Sequence, residues 1–249
     1  MLIKKGEYTV GKNGFPTNPL RTINVNDFLI ARYETTNKQF AVFIKATGYK
    51  ADAERKHDAL VYRPGVKEFE WAEDSTAYWR YPNGVSYGGI ENKMNHPVTC
   101  ISYHDIMAYC KWAKVRLPNL DEWEIAARAG TATDYFFGTD NTSIGTYANI
   151  WRGKNHLVPD STDGYVFTAP VGSFKPNPWG LYDMYGNVFE FCSGKLVQNE
   201  SSTIAHARGG SWWCSKNACN FFNSYDVGRV NIYASFSNQG FRVVKDKVE

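Results

Sequence analysis

Aromatic side chains and glycines are the feature that most limits how this chain can fold. Phe, Trp and Tyr make up 16% of its 249 residues, and 21 glycines accompany them. Large rings are stable when buried, and glycine permits the tight turns that lead irregular backbone around them. Stretches with a sustained hydrophobic period are few, so we expect much ordered loop packed on aromatic anchors. The tryptophans predicted as core anchors are Trp71, Trp79, Trp112, Trp123 and Trp179.

Three amphipathic helices are predicted in the first half of the chain, each from its own start signal. They begin after Thr36, Ser102 and Asn119, and each of these residues is followed three positions later by Gln, Asp or Glu. This spacing is typical of a capping box, in which the two side chains bond each other's backbone N–H groups. The second helix is expected to bury Trp112 on its apolar face.

Six short strands are predicted where apolar runs lie between Gly, Pro, Asn or Ser. They cover residues 3–10, 27–33, 98–101, 169–174, 207–212 and 240–244. No period persists over residues 130–170 or 213–239, so both stretches are predicted as long loops, which in a compact domain usually serve function. No linker or internal repeat divides the chain, and we expect one α+β domain.

The overall charge argues against a nucleic-acid-binding protein. The 28 Lys and Arg residues exceed the 25 Asp and Glu residues by three, and they form no basic run. No stretch approaches the roughly 20 apolar residues of a membrane span, and residues 1–8 lack the apolar core of a signal peptide. We expect a soluble chain, at the cell surface or outside the cell if a signal or lipid anchor was removed, and cytoplasmic otherwise.

Six segments, in matching order and spacing, resemble the formylglycine-generating enzyme (sulfatase-modifying factor) family. The match spans nearly the whole chain, and the family's domain is an elaborated C-type-lectin-like fold. The resemblance implies one loop-rich α+β domain of this type over residues 1–249. The segments are Tyr33-Glu34-Thr35-Thr36-Asn37, Asn95-His96-Pro97-Val98, Arg116-Leu117-Pro118 with Glu122-Trp123-Glu124 and Ala126-Ala127-Arg128, Gly180-Leu181-Tyr182-Asp183-Met184 with Gly186-Asn187-Val188, Arg208-Gly209-Gly210-Ser211-Trp212, and Gly240-Phe241-Arg242.

The family's enzymes oxidise a cysteine of a sulfatase peptide with copper(I), held by two cysteines just after a Gly-Gly-Ser strand. Cys214 and Cys219, with four residues between them, match that place and spacing. Soft thiolates select Cu(I), so the resemblance implies that this pair is catalytic. The alternative is that the two cysteines have no catalytic role and are buried small residues or form a local disulfide.

The enzymes' remaining groove residues are missing from this chain. The enzymes follow the first cysteine with His, the second with an Arg-Tyr-Arg run, and then add a Thr-Pro-Asp turn that shapes the peptide groove. Here Ser215 follows the first cysteine, Phe221-Phe222-Asn223 stands in place of the basic run, and no proline occurs after Gly180. These departures weaken the prediction of catalysis.

The same domain displays hypervariable loops in the variable proteins of diversity-generating retroelements. Their variable segments lie between Gly-Gly-Ser-Trp and a terminal Gly-Phe-Arg, and arise by mutation of template adenines. Here residues 217–238 contain only amino acids that the Asn codon AAC reaches by changes at its two adenines. The unreachable types are Lys, Glu, Gln, Met and Trp, which supply 44 of the 249 residues. Their absence from 22 consecutive positions has a chance of about one in seventy under independent draws.

The segment 213–238 also has the composition of a binding loop. Its aromatic rings offer rigid contact area at low entropic cost, and its Asn and Ser side chains offer adaptable hydrogen bonds. The alternative is a surface loop packed by its own aromatic residues. The predicted ligand-binding residues are Trp213, Ser215, Asn217, Asn220, Phe221, Phe222, Asn223, Tyr225, Asp226, Arg229, Asn231, Tyr233, Ser235, Phe236 and Ser237.

Two calcium sites of the family have counterparts in this sequence. The resemblance assigns the first to Asn149, Ile150, Asp163 and Tyr165, and the second to Asp183, Gly186, Val188 and Glu190. Carboxylate, amide and carbonyl oxygens suit Ca²⁺, and both ions would be structural. Alternatively, the carboxylates pair with arginine or cap a turn without metal.

Two hypotheses follow. The first is a non-enzymatic variable protein that binds a protein or other surface ligand through residues 213–238, on a scaffold supported by calcium. The second is a copper-dependent oxidase that acts on a peptide cysteine through Cys214 and Cys219.

Overall fold

All three predicted helices form in the computed structural model, which describes residues 1–195, 201–216 and 222–247. Each begins with a complete capping box at the predicted residue. A short helix that was not predicted follows the first, since five residues are too few to show a period. No helix of these described residues is long and apolar enough to cross a membrane. The helices are α1 (Asn37–Thr47), α2 (Asp52–Lys56), α3 (Tyr103–Ala113) and α4 (Leu120–Arg128).

Short strands form four small sheets in the described part of the chain. A four-stranded sheet has the order β10-β7-β8-β9, a three-stranded sheet has the order β1-β4-β11, and β2-β3 and β5-β6 are separate pairs. The β10-β7 pair is parallel and all the other pairs are antiparallel. The strands are β1 (Leu2–Ile3), β2 (Gly6–Val10), β3 (Arg21–Val25), β4 (Phe28–Ile30), β5 (Ala59–Val61), β6 (Ala72–Asp74), β7 (Phe189–Cys192), β8 (Ile204–Arg208), β9 (Gly228–Asn231), β10 (Gln239–Gly240) and β11 (Val244–Asp246).

Two strand predictions are wrong, and one predicted loop contains a strand. Residues 98–101 form no strand because Cys100 has a φ of 52°, which ends the extended run. Residues 169–174 form none because Gly172 turns the chain with a φ of 80°. In contrast, β9 lies inside residues 213–239, where β8 supplies the pairing that the local sequence does not indicate.

Aromatic residues fill the core largely as predicted. Trp79 and Trp123 are buried, and Trp71 and Trp179 are partly buried. Trp112 is the exception. It is 38% exposed because it lies at the end of α3 and covers the edge of the aromatic cluster without entering it.

A buried carboxylate ties α4 to the sheet that carries the C-terminal half. Glu124 accepts hydrogen bonds from Asn18 Nδ2 (2.7 Å), Arg128 Nε (2.8 Å) and Arg208 Nη2 (3.1 Å), and it is fully buried. Arg208 lies on β8 and also donates to the Ser224 carbonyl at 2.9 Å. This one carboxylate therefore fixes β8 and the chain that leads into β9.

We expect Glu124→Gln to destabilise the fold strongly, because it leaves two buried arginines without their counter-charge. Removing one member of such a network costs about 3–5 kcal/mol, or about 10 °C in melting temperature for a domain of this size. Thermal unfolding followed by circular dichroism measures this, with Glu73→Gln on the exposed side of β6 as the control. Equal melting temperatures for the two variants would contradict the assignment.

Candidate functional site: an aromatic groove beside Cys214

A groove of about 620 Å³ runs along β9, and we call it the aromatic groove. It is the site where the predicted loop, the family's cysteine position and several aromatic side chains come together. Its volume lies in the usual range for ligand sites. The lining residues are Leu60, Phe69, Trp71, His156, Phe189, Trp213, Cys214, Gly228, Arg229, Val230, Asn231, Ala234, Phe236, Asn238 and Gln239.

Three rings form the main wall of the aromatic groove. Trp71 meets Phe236 edge to face, with centroids 5.3 Å apart, and meets Trp213 at 5.4 Å with an interplanar angle of 55°. Backbone hydrogen bonds hold this wall, since Leu60 N–H donates to the Ser235 carbonyl and Ser237 N–H donates to the Leu60 carbonyl. The rings therefore present fixed, mutually inclined faces.

His156 supports the groove next to the cysteine. Its Nε2 lies 2.8 Å from the Trp213 carbonyl, so Nε2 carries a proton and donates it. The ring stacks on Trp151 at 5.2 Å, and the backbone N–H donates to Glu68 at 2.8 Å. No local signal in the sequence indicates His156 as a site residue, because its partner lies 57 residues away.

Cys214 lies in the aromatic groove, where the resemblance places a copper ligand. It is 2% exposed, its N–H donates to the Ser211 carbonyl, and its carbonyl accepts from Trp151. Cys214 is disulfide-bonded, so in this state it offers no thiolate to a metal. Cys219 lies outside the described residues. Reduction is therefore required before Cu(I) can be bound at Cys214, and no catalytic step follows from the geometry as it stands.

Two amide side chains in the groove have oxygens without a partner. Asn238 Oδ1 and Gln239 Oε1 are buried and accept no hydrogen bond from the described residues. The Asn238 amide is held from its other end, since Nδ2 donates to Ser211 Oγ at 2.9 Å. Unpaired buried acceptors are costly, so a donor from water or from a ligand in the groove is expected to bond them.

Four of the predicted ligand-binding residues line the aromatic groove: Trp213, Arg229, Asn231 and Phe236. Arg229 and Asn231 are exposed at its mouth on β9, whereas Trp213 is 8% exposed and forms part of the wall. The structure therefore brings part of the predicted set together with residues from 60–71 and with His156.

The other described members of that set lie away from the groove. Five are buried inside the fold, where they hold the loop in shape: Ser215, Phe222, Asn223, Ser235 and Ser237. Tyr225 and Asp226 lie beside Phe15 and Lys12, and Tyr233 is 48% exposed beside His104. Asn217, Asn220 and Phe221 lie outside the described residues. The predicted continuous surface is thus divided between groove, interior and a separate exposed edge.

At the first predicted calcium position, the carboxylate already has a cation beside it. Asp163 Oδ2 accepts from Arg152 Nε at 2.7 Å, and Oδ1 accepts from the Tyr165 N–H at 3.1 Å. Asn149 Nδ2 donates to the Phe167 carbonyl, and Ile150 is buried next to it. Arg152 therefore takes the place that the positive charge of a calcium ion would have.

The second predicted calcium position is a buried cluster of three carboxylates and one guanidinium. Glu190 accepts from Trp123 Nε1 (2.7 Å) and Arg242 Nε (2.6 Å), and Arg242 is fully buried. Burial raises the pKa of Asp183 to about 6, although the Gly172 N–H and Arg242 oppose the shift. Burial and the charges of Asp183 and Glu190 also raise the pKa of Glu34.

At the second position, Gly186 and Val188 are predicted to contribute carbonyl oxygens, and both residues form hydrogen bonds through their N–H groups. Gly186 N–H donates to the Gly209 carbonyl, and Val188 N–H donates to Glu34 at 3.2 Å. No group of three or more His, Cys, Asp or Glu side chains in the described ranges is arranged to hold a metal. Asp183 Oδ1 is buried without a partner among the described residues, and calcium here stays a prediction of the sequence.

We expect millimolar calcium to leave the melting temperature unchanged relative to a chelator, because Arg152 already pairs with Asp163 and Arg242 with Glu190 at the two positions. A site occupied at 100 times its Kd would add about 2.7 kcal/mol, or about 5–10 °C. Thermal unfolding in calcium and in EDTA distinguishes the two. A rise in melting temperature of that size in calcium, absent from the Asp163→Asn or Asp183→Asn variant, would show that calcium binds at the position changed.

Comparison with known proteins places the chain in a family. The sulfatase-modifying factor enzyme 1-like domain matches residues 1–247. The formylglycine-generating enzyme of Thermomonospora curvata is 35% identical over 92% of this chain and 85% of its own. The inactive C-alpha-formylglycine-generating enzyme 2 of Bos taurus is 33% identical over 81% of this chain and 70% of its own.

Solved structures confirm the predicted α+β fold of formylglycine-generating-enzyme type within the C-type-lectin-like class. PvdO from Pseudomonas aeruginosa superposes with a TM-score of 0.73 at 27% identity, over 98% of this chain and 92% of that one. Treponema denticola variable protein 1 gives a TM-score of 0.66 at 19% identity, over 98% and 93%, and shows likeness of fold alone. With a family match over nearly its full length, the chain belongs to the sulfatase-modifying factor enzyme 1-like family.

Proposed function

We propose that this chain is a ligand-binding protein, not an oxidase, and that the aromatic groove is its binding site. The observation that carries the proposal is the sequence position of the residues that line the groove. Seven of the fifteen groove residues belong to the segment 217–238, whose residues are all reachable from AAC codons. In this proposal the segment is diversified as in the variable proteins of diversity-generating retroelements.

The exposure of the segment supports such a role. From Ala234 to Ser237, partly exposed groove residues alternate with buried serines, and on β9 Arg229 and Asn231 are exposed. Exchanges at the groove positions would change the ligand contacts and leave the core packing in place. The remaining wall, formed by Trp71, Trp213 and His156, comes from outside 217–238 and would be the constant part of the site.

The residues that the enzymes use beside the cysteines have other roles here. Phe222 lies where the enzymes carry a basic run, and it is 1% exposed and packs against Tyr135 and Gly210. Ser215 is buried where the enzymes carry His. Overall identity does not separate the two functions, because relatives named as enzymes and as inactive proteins match at 35% and 33%.

The proposal predicts a template repeat and localised variation in the gene. We expect a near-copy of the sequence encoding residues 217–238, with AAC codons at the varying positions, beside a reverse-transcriptase gene. Deep sequencing of a culture should show substitutions confined to those adenines. The absence of both the repeat and the variation would contradict the diversification.

We also expect peptides selected on this protein from a phage-displayed random library to depend on the groove. Arg229→Ala and Asn231→Ala change exposed groove residues without affecting the core, so each should weaken a selected peptide by about 5–30-fold. Val42→Ser, at an exposed position of α1, is the control. Binding that is unchanged in both groove variants would place the ligand elsewhere.

Copper-dependent oxidation of a peptide cysteine is the second candidate, and one observation favours it. Cys214 stands in the groove where a bound peptide would lie, at the family's copper position. Under our proposal, a Cu(I) titration of the reduced protein against a competing chelator should match that of a Cys214→Ser, Cys219→Ser double variant. Tight binding lost in the double variant, together with oxygen uptake on a cysteine peptide, would establish the oxidase instead.

A further inference from the structure

The Gln239 side chain is a buried amide whose oxygen has no hydrogen-bond partner. Gln239 is 4% exposed, lies on β10 opposite Phe189, and lines the aromatic groove together with that ring. Its Oε1 accepts no bond from the described residues. An uncharged amide can donate a hydrogen bond through Nε2 and accept one through Oε1. It is therefore complementary to another amide, such as a peptide unit, which also has one donor and one acceptor.

Beside this amide, the groove offers an aromatic wall against which a ring can pack. Trp71 contacts Trp213 and Phe236, with centroids 5.4 and 5.3 Å apart and planes inclined by 55° and 87°, so the three side chains form one lining. An aromatic ring of a ligand can meet such a wall offset-stacked or edge to face, and these pairs stabilise beyond simple burial. The wall and the amide together match a residue that has an aromatic side chain and flanking peptide bonds.

The charge of the lining disfavours one class of peptide. None of the described groove residues is Asp or Glu. A Lys or Arg side chain of a ligand would therefore find no carboxylate in this lining, which is unfavourable. Segments without a cation next to the aromatic residue are favoured.

We propose that the aromatic groove binds a peptide segment that packs an aromatic side chain against Trp71, Trp213 and Phe236, and that Gln239 bonds the adjoining main-chain amide. This inference rests on the proposed function and names its ligand class. Trp71, Trp213 and Gln239 lie outside the diversified segment and Phe236 lies within it, so the contact with Phe236 would differ among variants while the rest of the contact stays.

The test uses N-acetyl-tyrosinamide, a tyrosine ring between two amides, and follows ¹⁵N-labelled protein by NMR. The chain has three glutamines, so the Gln239 side-chain signal is identified by its loss in Gln239→Met. We expect this signal to shift and saturate at millimolar probe, as is usual for so small a ligand. The signal of Gln39, exposed on α1, should not move.

Three matched probes separate the parts of the proposal. p-Cresol keeps the ring and lacks the amides, N-acetyl-glycinamide keeps the amides and lacks the ring, and N-acetyl-lysinamide replaces the ring with a cation. Each should bind at least about fivefold more weakly, the loss expected for one hydrogen bond or more. Equal binding of any of the three would overturn the proposal.

Gln239→Met separates ligand recognition from folding. Replacing an amide whose buried oxygen has no partner with an apolar side chain of similar length should leave the melting temperature equal or higher. Binding of N-acetyl-tyrosinamide, followed on the backbone signals of β9, should weaken about fivefold. Unchanged binding overturns the role of Gln239, and Phe236→Ala, with weaker binding expected, tests the aromatic wall independently.

The outcomes for ligand class and for proposed function are distinguishable. If the gene shows no template and N-acetyl-tyrosinamide still binds in the groove, the ligand class stands and the diversification falls. If the gene varies as expected and the probe does not bind, the proposed function stands and this inference falls.

Discussion

The buried ion pair between Arg242 and Glu190 is the interaction on which the rest of the structure depends. Glu190 lies on β7 in the four-stranded sheet, and Arg242 lies between β10 and β11, so the pair joins the last strands of the chain to the central sheet. Arg242 also donates to the Tyr182 carbonyl at 2.9 Å. Neither side chain reaches water, so removal of either would leave a buried charge without its partner. Through Arg242, the terminal Gly-Phe-Arg motif thus holds the C-terminal strands against the four-stranded sheet.

The aromatic groove exists because the chain closes in this way. Leu60, Trp71, His156 and Trp213 come from four separate parts of the sequence, and β10 brings Asn238 and Gln239 against them. In the described structure these parts meet mostly through backbone hydrogen bonds and ring contacts, so no single loop builds the site. A rigid floor beneath a partly exposed strand is the arrangement that lets one scaffold accept changes at its surface.

Local signals predicted the helices and failed where partners are distant. The capping boxes at Thr36, Ser102 and Asn119 need only four residues, and all three were located correctly. The strand β9 has no alternation of its own and forms because β8 pairs with it. The groove residues His156 and Gln239 could not be found in the sequence, since their roles arise from neighbours remote along the chain. Cys214 could be singled out in the sequence because it follows a motif, and its role as a metal ligand stays a prediction.

The alternation of buried and partly exposed residues from Ala234 to Ser237 limits how freely this segment can change. Ser235 and Ser237 are enclosed where their neighbours face the groove, and a larger residue at either would be forced into close-packed surroundings. A mutation process that treats adjacent codons alike would therefore produce two kinds of offspring. Changes at one set of positions would yield new specificities, and changes at the other would yield proteins that fail to fold. The surviving repertoire would then be smaller than codon chemistry alone allows, and folding would act as the first round of selection before any ligand is met.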